Sequence, residues 1–137
     1  MRKLIACFLL ISLLLCACSD KTPSLKVTVK ITVADSESGF SGVVYENSSY
    51  KYALGTPTID GVLTALTKAG KIDYFFDGNF IKVGDFDFYD APDNSYTRAW
   101  VVTLNGETPE NGVLAEIKEG DVIELNYIVF IHYFPIS

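Results

Sequence analysis

The sequence predicts an α+β domain, a sheet packed on one short helix, on three observations. A strictly alternating apolar segment stands near the start, one amphipathic helical stripe lies in the middle, and a second series of alternating segments runs to the end. In the first segment Leu25, Val27, Val29, Ile31 and Val33 alternate with Lys26, Thr28, Lys30 and Thr32. This is the period of two expected of a half-buried strand. Residues 35–39 are a loop by composition. Residues 43–45 and 50–54 read as extended segments around a polar bend at 46–49.

Thr58 opens the helix as its N-cap, and Asp60 suits the positive end of the first turn. Ile59, Val62, Leu63 and Leu66 form one apolar stripe, and Gly70 stops the helix at C′. Beyond residue 72 the pattern is β again. Asp77-Gly78-Asn79 is a turn between Tyr74-Phe75-Phe76 and Phe80-Ile81-Lys82-Val83. Residues 98–104 form a strand with Trp100, Val102 and Leu104 on one face. Asn105-Gly106 and Glu119-Gly120-Asp121 are tight turns, because Asn and Gly tolerate positive φ. The last strand, 122–131, puts Ile123, Leu125, Tyr127, Val129 and Ile131 on one face.

Ahead of the domain, Arg2 and Lys3 precede an apolar run over 4–15, then Leu15-Cys16-Ala17-Cys18. The run is short for a membrane span, which needs about 20 residues. The tetrapeptide looks like a bacterial lipobox. The expectation is a signal peptide over 1–17, lipidation of Cys18, a tether over 18–24 and a domain over 25–137, held outside the cytosol on the cell membrane. Cys7 and Cys16 leave with the leader and Cys18 carries the lipid, so the domain has no thiol for a disulfide, a zinc site or a nucleophile. Losing Arg2 and Lys3 from 11 basic residues against 17 acidic ones takes the net charge from −6 to −8. Such a surface repels phosphate backbones, so nucleic acid is not an expected partner.

Catalytic chemistry has little to use. The one histidine, His132, has the opposite parity to the core residues of the last strand, and no nucleophile motif accompanies it. Asp85, Asp87, Asp90 and Asp93 lie close in sequence. They lack the glycine and terminal glutamate of a calcium loop, so a solvated acidic loop is the preferred reading and no metal is expected. Aromatic residues crowd the same stretch. Phe86 and Phe88 share a parity, and one or both read as core. Tyr89, Tyr96 and Trp100 are the candidate ligand-binding residues, although a tryptophan in a small β domain is also a natural core residue. Phe130, His132 and Phe134 alternate on the face away from the predicted core, either as an interface or pairing edge or as a face that packs on the helix.

The ordered set Phe80-Ile81-Lys82-Val83-Gly84, Trp100 five residues before Asn105-Gly106-Glu107, then Gly112, Gly120-Asp121 and a closing strand resembles the DUF4430 family, the transcobalamin-like C-terminal domain, over residues 25–131. The resemblance implies a β-grasp-like mixed sheet curled round one helix, on an extracytoplasmic protein. Family members often carry an aromatic two residues after the tryptophan; here Val101, Val102 and Thr103 intervene. In cobalamin carriers a separate helical domain completes the site, and this chain has no room for one. The expected function is therefore a lipid-anchored binding module without catalytic activity or a cofactor, for a partner protein or a small planar ligand. Binding and delivery of a cobalamin-like cofactor is the alternative that the resemblance implies.

Overall fold

A computed structural model describes residues 24–35, 39–53 and 55–133. The chain forms β1 (Leu25–Asp35), β2 (Phe40–Tyr52), α1 (Ile59–Lys68), β3 (Tyr74–Phe76), β4 (Ile81–Val83), β5 (Tyr89–Asp90), β6 (Tyr96–Leu104), a 3₁₀ turn (Gly112–Leu114) and β7 (Val122–Ile131). Five strands make one mixed sheet in the order β2-β1-β7-β6-β5, and β3 and β4 form a separate hairpin. The first and last strands lie side by side at the centre, and they alone run parallel, with Val29 opposite Ile123 and Val33 opposite Tyr127. The other pairings are antiparallel.

The expected α+β class holds, with one short helix on a predominantly β domain. Val27, Val29, Ile31 and Val33 of β1 are buried with Ile123, Leu125 and Tyr127 of β7 and Trp100 and Val102 of β6. The helical stripe Ile59, Val62, Leu63 and Leu66 is buried in the same core. Thr58 caps the helix by accepting a bond from the Gly61 N–H, and Gly70 follows its end at φ +66°. The opposite sheet face carries half-buried polar side chains such as Thr32 and Asn126, which are hydrogen-bonded to each other.

The two tight turns form as expected and are locked together. Asn105 and Gly106 both have positive φ, the geometry of a two-residue hairpin loop. The Asn105 side chain accepts from the Val122 N–H and donates to Asp121, whose other carboxylate oxygen accepts from the Lys118 N–H. Gly120 donates to the carbonyl of Lys26, so both turns are tied to the start of β1.

Three expectations change. The polar stretch at 46–49 is no bend: β2 runs through it, and a register shift against β1 between Val27 and Val29 absorbs the extra residue as a bulge. A second shift lies between Ile31 and Thr32. β1 continues past Val33 to Asp35, a buried carboxylate where composition had implied a loop. Finally, β7 outruns the core, so Ile131 is 62 % exposed despite its parity. The leader, Cys18, the tether as far as residue 23, residues 36–38 and Phe134 fall outside the described residues.

Candidate functional site

Helix α1 covers only part of the sheet. Beyond it, at the C-terminal ends of β1 and β7, the core face carries a different kind of residue. Asp35 pairs with Phe40 of β2 and lies two residues beyond Val33, the partner of Tyr127. Arg98 pairs with Val129, two residues beyond Tyr127, and with Tyr89 of β5. One level of the sheet therefore carries Phe40, Asp35, Val129, Arg98 and Tyr89 from edge to edge. The alternation that fills the core with valines and leucines further down places an acid and a base in register here.

The acid and base meet. Arg98 Nε lies 2.7 Å from Asp35 Oδ2, and the Asp35 side chain is 1 % exposed. The guanidinium sits over the Tyr96 ring at 5.0 Å and the Tyr89 ring at 5.7 Å, and these two rings are 5.9 Å apart. A planar, weakly hydrated cation suits such a place between aromatic faces.

The segment between β4 and β5 closes over this level. Trp100 Nε1 donates to the Phe86 carbonyl at 2.9 Å, and the Tyr127 hydroxyl donates to the Asp87 carbonyl at 2.6 Å. The Phe86 ring packs on Tyr127, Trp100 and Phe40. Burial raises the pKa of the Tyr127 hydroxyl; Arg98 opposes the rise, while Asp35 and Asp87 add to it. The hydroxyl thus remains a donor throughout the ordinary pH range. Lys82 reaches Asp87 at 3.7 Å, and the same carboxylate accepts from the Phe88 N–H.

Between this segment and the sheet lies an open pocket of about 470 Å³. Its rings are Phe40, Phe86, Phe88, Tyr89 and Tyr127, and its charged groups are Asp85, Asp87 and Arg98. Phe88 is itself stacked on Phe80, with ring centres 4.2 Å apart. The volume falls in the range of small-molecule sites. Two other pockets lie at the opposite end of β1, around Tyr52 and Gly55, and carry fewer aromatic rings.

Of the three ligand-binding candidates, Tyr89 lines the pocket and is 42 % exposed. Tyr96 stands behind it, against Arg98. Trp100 is corrected: at 8 % exposure it belongs to the core and supports the pocket from beneath. Of Phe86 and Phe88, Phe86 packs against the core and Phe88 is a pocket wall. Sequence reasoning missed Phe40, Asp35 and Arg98. The signal available was a charged residue at a core-parity position in two separate strands.

The acidic stretch is divided among separate tasks. Asp90 accepts from Thr97, Asp93 accepts from both the hydroxyl and the N–H of Ser95, Asp87 meets Lys82, and Asp85 lines the pocket. The Ser95 bonds hold the Asp93 carboxyl below the usual range. Among the described residues no three His, Cys, Asp or Glu side chains gather where they can hold a metal. His132 is exposed, and its Nε2 lies 2.9 Å from Thr97 Oγ1. The Thr97 hydroxyl also donates to Asp90 at 2.6 Å.

Fold and site together define a small α+β domain that carries an aromatic, charge-paired pocket at the end of its sheet beyond helix α1. No protein-family model matches this chain, and no curated protein matches it. Among the described residues no helix is long and apolar enough to cross a membrane.

Proposed function

We propose that the chain is a lipid-anchored, extracytoplasmic binding module without catalytic activity, which holds a small ring-shaped ligand in the aromatic pocket. The observation that carries this reading is the pocket itself. It has aromatic walls and a few convergent polar groups, and it rests on a loop pinned by two buried side-chain donors. Pre-set walls lower the ordering cost of binding.

The reading includes a β-grasp fold of the DUF4430 type. Its support is the strand order, with the first and last strands parallel at the centre and one helix on one face, together with the family resemblance of the turns. Placement outside the cytosol rests on the leader and on Cys18.

Saturation-transfer NMR of the purified full chain with a panel of ring fragments tests the pocket. Bound fragments should lose their signal, by about tenfold in affinity, when Phe88→Ala and Tyr89→Ala are combined. Binding indifferent to that pair, or no binding at all, rejects the reading. The resemblance leaves cobalamin delivery as a second reading. A titration with cyanocobalamin that gives neither heat nor a spectral change removes it.

A further inference from the structure

We infer that the pocket takes a neutral, polyhydroxylated ring, a pyranose sugar in chemical class. The inference rests on the binding-module reading above and specifies its ligand. The argument begins with charge. An anion entering the pocket meets Asp85 and Asp87 on a chain of net charge −6. An organic cation is drawn by those two carboxylates but meets the Arg98 guanidinium, which already lies over the rings of Tyr89 and Tyr96. Either kind of charged ligand therefore meets one repelling group beside an attracting one.

A neutral ligand escapes both conflicts and can use both sets of groups. The Asp85 and Asp87 carboxylates accept hydrogen bonds, the Arg98 guanidinium donates them, and the Tyr89 hydroxyl does either. A ligand that uses all of them presents several donors and acceptors of its own around a compact body. It must also present an apolar face. Five aromatic rings line the pocket, and the edge-on hydrogens of a saturated ring suit the negative face of an aromatic ring. Hydroxyls on the rim and C–H bonds on the face together describe a pyranose.

Trp100 is the only tryptophan of the chain and donates to the carbonyl of Phe86, a pocket residue. Its fluorescence therefore reports on the pocket. The full chain is titrated with methyl β-glucopyranoside, methyl β-galactopyranoside and N-acetylglucosamine, followed by tryptophan emission and by calorimetry. D-glucuronate and choline serve as charged controls. At least one neutral sugar should saturate with a Kd of about 1–10 mM or tighter. Glucuronate should bind at least about tenfold more weakly than that sugar, and Phe88→Ala should weaken the sugar by about tenfold with an unchanged circular dichroism spectrum. If no neutral sugar saturates, the assignment falls. Ring fragments or choline binding at Phe88 would then leave the binding-module reading standing, whereas an inert pocket would remove both.

Discussion

Asp35 and Arg98 show how one residue pair can organise a site. A buried carboxylate is costly unless it is paired, and its partner here comes from a strand far along the chain. Removing one member takes away the opposite charge that faces the other. Arg98→Leu or Asp35→Leu should each destabilise the fold by about 3–5 kcal/mol, while the double substitution should cost less than the sum. Urea denaturation of the three variants checks this, and additive losses would refute the coupling. Tyr74 acts at the same scale but on the other side of the core. Its hydroxyl donates to Asp60 Oδ1 at 2.7 Å, and burial first, then that bond and the Asp60 charge, raise its pKa far above the ordinary value of 10.0. The folded chain therefore holds this proton more tightly than the unfolded one. The contribution is complete below pH 10 and is lost as pH rises beyond it. Tyr50, Tyr52 and Tyr127 are shifted in the same direction. Stability should fall above about pH 10. Tyr74→Phe should lose about 1 kcal/mol at neutral pH and fall less steeply from pH 10 to 12, as denaturant midpoints across that range would show.

At the scale of elements, α1 and the end of β2 meet at Gly61. A Cβ there would lie 2.3 Å from the Thr56 carbonyl oxygen and 2.4 Å from the Tyr52 hydroxyl, which are themselves hydrogen-bonded. Helix propensity alone predicts that Gly61→Ala gains about 1 kcal/mol. The close approach reverses the sign, and a loss of about 1–3 kcal/mol is expected, measured by thermal or chemical unfolding. A stabilised variant would show that the helix can move away. The strand β2 teaches a related lesson. Its two bulges let a polar 13-residue edge strand follow β1 while its twist changes. Local composition at 46–49 looks like a bend, because the same small polar residues suit a turn and a bulge. The turns at Asn105-Gly106 and Gly120-Asp121 were legible, since backbone conformation there is set by the residues themselves.

Across the whole molecule the decisive contact is the parallel pairing of β1 with β7. It joins the two ends of the domain and can form only after most of the chain has been gathered. Amide exchange should be slowest in the central residues of β1 and β7 and fastest at the edges, in β5 and at the tip of β7. Rapid exchange at Val29 or Leu125 would contradict the assigned centre. The proposed anchor adds a direction. Cys18 precedes Leu25 by a short tether, and the pocket lies at the far end of the 11-residue β1, about 35 Å away at 3.3 Å per residue. A lipid at Cys18 thus presents the pocket away from the bilayer. Cys18→Ala should move the protein from the membrane fraction to the soluble one without altering ligand affinity.

Periodicity, capping and turn chemistry act over a few residues, so the sequence by itself determined the strands of β1, β6 and β7, the boundaries of α1 and both tight turns. It also determined the α+β class, because one helical stripe among many alternating segments has few ways to be buried. Only the tertiary structure decided that the chain ends pair in parallel, that Asp35 continues a strand, that Trp100 is core and that Phe40, Tyr89 and Arg98 share a pocket. Each of these depends on a partner distant in sequence. The free energy of burying a charge or an aromatic ring is set by what the fold places against it, and a local pattern carries no record of that neighbour.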